Sequence, residues 1–263
     1  MTLFLKRVFV CSIGAGLILP FLIVAGVSVN SASNISFPPQ ELSLQWYTQL
    51  LTEPDWLRPI RNSLVIAFFA GLIAVSIALA ANYVLWRLKS GFGKLVFGLG
   101  LGPFMLPPII IAMGASVFWA EMGWYGRAEA TVISHGVFFV TLPLVIIARG
   151  FAALSDDVIE ASRTMGATPW QTFAKVIFPL VLPYAITGYA LVAIISVNEY
   201  LISYMVSGFA VETLPIRIFN NVRYGYTPVV ASAAMGFALL TIGTLLVLSM
   251  FTDLLKLLGA SRD

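Results

Sequence analysis

Charge is what this chain has least of. Only 10% of its 263 residues are Asp, Glu, Lys or Arg, against about 25% in soluble domains. With 59% hydrophobic residues and a mean hydropathy of +0.94, that scarcity excludes a sizeable aqueous domain. Cysteine occurs once, as Cys11 in an apolar run, which excludes an internal disulfide and a cysteine-based metal cluster. A packed small apolar residue is its plainest reading. Histidine also occurs once, as His135. There is no G-x-x-x-x-G-K-[ST], so the chain cannot hold nucleotide through a P-loop, and no H-E-x-x-H. No serine, histidine and acid set is placed convincingly for an intramembrane hydrolase. The net charge of +3 is small and its basic residues are scattered, which argues for topology signals rather than nucleic-acid contacts.

What is present is apolar length. Runs at about 8–29, 63–86, 95–119, 130–148, 184–206 and 229–251 are each long enough to span a bilayer as a helix. The expected fold class is therefore all-α: a polytopic membrane protein with six transmembrane helices, forming a single transmembrane domain over 1–263. The first run exceeds the roughly 7–15-residue core of a signal peptide and reads as a retained span. Ala32 among serines keeps a cleavage reading open. Residues 30–61 read as an extra-cytoplasmic loop with a short helix near 42–51, and Trp46, Tyr47 and Trp56 can sit at headgroup level. In the second span Ala70, Ala74 and Ala78 recur every four residues, a spacing that lets helices approach closely. Pro103, Pro107 and Pro108 must kink the third span, and irregular backbone at membrane depth survives only inside protein or along a water-filled path.

The six-span model sorts the basic residues. Lys6, Arg7, Arg87, Lys89, Lys94, Arg149, Arg163, Lys175, Lys256 and Arg262 fall on one side, and Arg58, Arg61, Arg127, Arg217 and Arg223 on the other. The richer side is the cytoplasm, so both termini are expected there.

Residues 155–183 interrupt the apolar pattern. Ser155 or Asp156 can cap a helix whose first turn carries Asp156, Asp157 and Glu160 near its positive end. That helix should run to about Met165, with Gly166 ending it. Thr168 can cap a second helix with Pro169 at its first position, and Pro179 and Pro183 should break or kink the chain beyond it. The spacing predicts helix, tight turn and helix beside a membrane.

Glu160-Ala161-Ser162, then Gly166, then Val176-Ile177-Phe178-Pro179 resembles the EAA loop of ABC importer permeases. That pattern is E-A-A, three residues, G, nine residues, I-x-L-P. Ser162, Val176 and Phe178 are conservative departures. The resemblance implies the type I importer permease fold, with Asp157, Glu160, Ala161, Ser162, Gly166 and Pro179 in a cytoplasmic coupling helix and loop that engages an ATPase. It also implies the partners: a cytoplasmic ABC ATPase dimer that carries the ATP and Mg, a second permease subunit (related or identical) and an extra-cytoplasmic solute-binding protein. No cofactor would be bound by this chain, which would be a transport subunit rather than an enzyme, lodged in the lipid bilayer of a bacterial inner (plasma) membrane as a multi-pass protein. The rival without partners is an amphipathic interfacial helix.

Two intramembrane groups remain. Glu199 is costly at that depth and marks a function by default. It can line a translocation path for a cationic solute or hold a buried interhelical network; Asn198, Tyr200 and Ser203 are its neighbours. His135 can gate a path, carry a proton or be hydrogen-bonded within the bundle. Asn198-Glu199-Tyr200, Ser203, Ser207-Gly208, Thr213-Leu214-Pro215, Arg223-Tyr224-Gly225 and Thr227-Pro228 resemble the spermidine/putrescine-type branch of the same permeases. That branch usually carries two adjacent acids where this chain has Asn198-Glu199, and it also serves opines, other amino-acid-like solutes and organophosphonates. The function implied is import of a small polar solute: polyamine, opine or amino-acid-like. The alternative is a stand-alone proton-coupled secondary transporter using Glu199 and His135.

Overall fold

A computed structural model describes residues 2–88, 91–225 and 227–251. Lys89, Lys256 and Arg262, three of the residues that set the expected orientation, lie outside the described residues. Among the described residues thirteen helices follow one another: α1 (Thr2–Ser28), α2 (Gln45–Thr52), α3 (Pro54–Leu88), α4 (Gly91–Leu101), α5 (Pro108–Glu121), α6 (Ala128–Phe138), α7 (Thr141–Ala152), α8 (Asp156–Thr164), α9 (Pro169–Thr172), α10 (Phe178–Asn198), α11 (Leu201–Ser207), α12 (Leu214–Tyr224) and α13 (Pro228–Phe251). A 3₁₀ turn at Gly102–Met105 follows α4, and a π turn at Phe173–Ile177 joins α9 to α10. Among the described residues, four helices are long and apolar enough to cross a membrane, or up to six if each of two bent pairs counts as one span.

The chain divides into two compact units. The first comprises the chain up to Ile60 with Ile216–Gly243. Its loop is organised around Asn30, which is buried. The Asn30 amide donates to Ser36 at 2.7 Å, its side-chain oxygen accepts from the Ala32 and Gln40 amides, and its carbonyl accepts the Trp46 indole N–H at 2.6 Å. Tyr47 shares a hydrogen bond with Ser28, whose carbonyl accepts from Ser232. Trp56 is buried beneath the Arg217 guanidinium, 5.5 Å from its ring. The polar tips of Trp46 and Tyr47 are therefore satisfied inside the protein, and Trp56 is core rather than a headgroup anchor. By contrast, none of the apolar window of α1 is buried within the chain, a face that needs lipid or another chain around it.

The second unit comprises Arg61–Pro215 with the chain from Thr244. Ala70, Ala74 and Ala78 are fully buried, so the small stripe is a packing face. One core cluster gathers Ala74, Trp119, Phe138, Val192, Ile202 and Val206, and another Ala78, Leu144, Ile147, Phe151, Ile177 and Val181. α7 and α10 pack most closely. A Cβ on Gly188 would lie 2.9 Å from the Pro143 backbone, and one on Gly150 2.7 Å from the Tyr184 ring.

The spans depart from the expected runs in five places. The third is bent by 106° between Met105 and Pro108, far beyond a kink. Pro103, Pro107 and Pro108 remove three N–H groups in six positions, and the Thr141 hydroxyl donates to the freed Gly100 carbonyl at 2.8 Å. The fourth span, expected unbroken over 130–148, is bent by 46° between α6 and α7. Pro143 explains it: its ring crowds the carbonyl four residues back, Phe139, where α6 has just ended. The fifth run begins earlier than 184, since α9, the π turn and α10 form one rod over Pro169–Asn198. Pro179 and Pro183 do not break it. The π turn, in which the Phe178 N–H reaches the Phe173 carbonyl, widens the backbone just where Pro179 would clash. The fifth run instead breaks at Glu199, and α11 is a separate helix. α3 also starts well before residue 63, at Pro54, where a proline in the first turn costs no hydrogen bond.

Because Pro143 is backbone at its contact with α10, it cannot yield to a larger neighbour. Gly188→Val is expected to cost about 1–3 kcal/mol through overpacking. It should appear as a lower melting temperature of the detergent-purified protein, and unchanged melting would show that the α7–α10 seam is looser than described.

Candidate functional site

Two places in the second unit gather the candidate site residues into organised positions. The first is the interruption between α7 and α10. Ser155 caps α8, accepting from the Asp157 amide at 3.2 Å, and Asp156 and Asp157 occupy the first turn. α8 ends at Met165, and Gly166 follows at φ 81°. Nothing lies within 4 Å of a Cβ placed there, so the backbone conformation and not space requires the glycine. Thr168 and Gln171 then form a reciprocal capping box for α9, with Pro169 at its first position. The buried Ser162 hydroxyl donates to the Ile159 carbonyl and pairs with Thr172 at 3.1 Å, stitching α8 to α9. Ser162, an alanine in the EAA pattern, thus holds the turn together.

The outward face of this pair is open. Glu160, Asp157 and Ala161 are exposed, as are Val158, Met165 and Trp170. Ile159 points inward, and with Glu160 and Arg163 it lines a cleft of about 260 Å³ whose other wall is Trp86 and Arg87 at the end of α3. Pro179 sits in the first turn of α10.

The second place is the break at Glu199. This residue is extended (φ −78°, ψ 124°) and ends α10. Its carboxylate folds over the start of α11, accepting the Ile202 amide at 2.9 Å and the Ser203 amide at 3.0 Å. These are two of the N–H groups that a helix start leaves without a partner. The same carboxylate lies 3.1 Å from His135 Nε2. His135, fully buried on α6, places Nδ1 2.7 Å from the Ser196 hydroxyl and Nε2 3.1 Å from the Ser203 hydroxyl. A carboxylate has no hydrogen to give, so Nε2 carries the hydrogen and donates to Glu199. One turn away, Thr131 and Ser207 share a buried hydrogen bond of 2.6 Å, again joining α6 to α11.

Asn198, Glu199 and Tyr200 form part of the wall of a cavity of about 550 Å³ that also includes Phe104, Phe138 and Phe139. The structure therefore brings Asn198, Glu199 and Tyr200 together at one cavity. Ser203 is fully buried behind them. Asn198 is turned partly back, donating to the Ile194 carbonyl at 2.8 Å. The sequence pairs His135 with Glu199 only in the proton-coupled alternative and identifies no hydrogen-bond partner for the imidazole. Ser196 was the available signal, since it lies three residues before Glu199 on the same helical face.

The model of the binding-protein-dependent transport system inner membrane component family matches residues 73–258, well over half the chain. The chain belongs to this family. As a permease of this kind it is 26% identical over 249 residues to the spermidine/putrescine transport system permease protein PotC of Haemophilus influenzae, covering 95% of this chain and 96% of that protein. It is 28% identical over 199 residues to the putrescine transport system permease protein PotI of Escherichia coli K12, covering 73% and 71%. In solved structures its fold is similar to a chain of a bacterial ABC transporter involved in the import of the acidic polysaccharide alginate (TM-score 0.68, 14% identity, 94% and 93% covered). It is also similar to one of the MetNI methionine ABC transporter in inward-facing conformations (TM-score 0.60, 19% identity, 78% and 96% covered). The fold is that of type I ABC importer permeases, and the chain is a multi-pass inner-membrane transport component.

Since the Glu199 carboxylate both caps α11 and engages the buried imidazole, Glu199→Ala is expected to destabilise the permease by about 2 kcal/mol. Thermal unfolding in detergent measures this, and a melting temperature equal to wild type would mean that the cap and the pair contribute nothing to stability.

Proposed function

We propose that this permease is the membrane-spanning subunit of an ATP-driven importer, working as one transmembrane domain that couples to a separate ATPase through α8. The observation that carries the reading is the coincidence of the EAA-like anchors with a self-capped helix whose acidic face is exposed. Glu160, Asp157 and Ala161 would dock into a cytoplasmic ATPase dimer that holds the ATP and Mg. Gly166 and the Ser162–Thr172 bond keep α8 at a fixed angle to α9. Motion of α8 would pass along the rod of α9, the π turn and α10, and across the shared cleft to the end of α3. A second permease subunit, related or identical, would cover apolar faces such as that of α1. An extra-cytoplasmic solute-binding protein would deliver the solute. This orientation keeps both termini in the cytoplasm, in line with the excess of Lys and Arg on that side.

The substrate class rests on the charge at the break and on the solutes for which the relatives are named. A single carboxylate, Glu199, at an otherwise largely apolar cavity favours a solute bearing an amine over an anion. A polyamine heads the candidates, followed by an opine or another amino-acid-like solute, because Asn198 supplies an amide where two acids would favour a more highly charged cation. Asn198, Glu199 and Tyr200 would line the path, with Ser203 behind them. A stand-alone proton-coupled carrier is not favoured by membership in a binding-protein-dependent family.

Glu160→Lys reverses the charge offered to the ATPase, and Gly166→Pro forbids the positive φ that ends α8. Either is expected to abolish uptake of radiolabelled putrescine by cells expressing the complete system while leaving membrane insertion intact. Normal uptake by either variant would remove α8 from the coupling role, and uptake abolished by a proton uncoupler at constant ATP would point to the carrier.

A further inference from the structure

We propose that His135 is a positioning residue for solute recognition: it never touches the solute, and it holds the Glu199 carboxylate in the pose that the solute meets. This rests on the reading that Glu199 faces the solute path. Three observations carry it. The His135 side chain is wholly buried, whereas that of Glu199 keeps 10% of its surface open, and Glu199 stands at the wall of the 550 Å³ cavity where His135 does not. Both imidazole nitrogens are engaged inside the protein, Nδ1 by Ser196 and Nε2 by Glu199 and Ser203. The Phe139 ring, itself part of the cavity wall, stands edge-on to the imidazole at 5.6 Å.

The arrangement is a chain of orientation. Ser196 is on α10, one turn before the break, and its hydroxyl sets the tilt of the imidazole. The imidazole Nε2–H and the Ser203 amide then converge on one oxygen, Oε2, while the Ile202 amide takes Oε1. A carboxylate held by three N–H donors from α6 and α11, with the Ser203 hydroxyl beside them at 3.3 Å, cannot swing, so the part of it that faces the cavity is fixed in direction. Oε2 is filled by these donors, whereas Oε1, with the Ile202 amide alone, keeps a lone pair for an incoming amine. Without His135 the carboxylate keeps its Ile202 and Ser203 partners on α11 but loses the donor from α6. Oε2 is then held from one side only, its pose is less sharply fixed, and binding must reorder it.

The test is a double-mutant cycle on uptake kinetics, using radiolabelled putrescine and spermidine in cells expressing the complete importer, with the membrane-embedded amount of each variant measured alongside. Gln at 135 can present an amide N–H near the position of Nε2, whereas Asn reaches only as far as Nδ1. The account expects Glu199→Gln and His135→Asn each to raise KM about tenfold with little change in kcat. It expects the doubly substituted chain to be no worse than Glu199→Gln alone, because His135 acts only through Glu199. His135→Gln should lie within about threefold of wild type. If Glu199→Gln raises KM while His135→Asn does not, or if the two effects multiply, the positioning role is overturned and the assignment of Glu199 to the path survives. If Glu199→Gln transports both polyamines normally, or wild type transports neither, the path and substrate reading fails and the positioning role falls with it.

Discussion

Inside a bilayer every polar group must find its partner within the protein, because there is no water to supply one. The spans of this permease are broken at several points, and each break leaves backbone groups that regular helices would have satisfied. The fold answers with side chains from distant elements. Thr141 reaches back to the Gly100 carbonyl. The Glu199 carboxylate supplies the start of α11 with acceptors, and His135 in turn supplies Glu199 with a donor. Most of these repairs join elements far apart in sequence. The polar network is thus what allows helices to be broken at membrane depth at all, and it is what opens a cavity beside Asn198, Glu199 and Tyr200.

The interruption between α7 and α10 obeys the opposite rule. It is polar, exposed and held by local contacts: a serine cap, a glycine at positive φ and a capping box. A helix of nine residues is too short to be stable by itself in water. Ile159 buried beneath it, and the Ser162–Thr172 bond beside it, supply what length does not. The outcome is a rigid projection with an open acidic face, joined to the fifth span without an intervening flexible loop. The π turn before Pro179 matters here, because it lets the rod continue past a proline that would otherwise uncouple α9 from α10.

These two rules decide how much was legible in the sequence. Structure set by neighbours in the chain was readable: Ser155 as cap, Met165 and Gly166 as terminus, Thr168 and Pro169 as restart, and Pro228 opening the last span. The family motif added its context. Structure set by distant partners was not readable. Nothing around Glu199 signals a helix break, since it needs His135 from α6 to be stable there. The π turn is an adjustment to Pro179 that no propensity announces. Two misses were local: Pro54 marks the true start of α3, and Pro143 marks the bend between α6 and α7. Both were overshadowed by the apolar pattern around them. The hub at Asn30 shows the same limit: the short helix expected near 42–51 is there as α2, but the hydrogen bonds that tie the loop to Asn30 have no local signal.

α8 is proposed as the place where this permease would meet an ATPase. The most direct measurement is affinity purification of the tagged chain in mild detergent from cells expressing the whole system, with co-eluting proteins identified by mass spectrometry. An ATP-hydrolysing subunit is expected to co-elute with wild type and to be lost when Glu160 and Gly166 are substituted, while a second permease chain stays bound. Well-folded wild-type chain eluting alone from several detergents, or an ATPase retained after those substitutions, would contradict it.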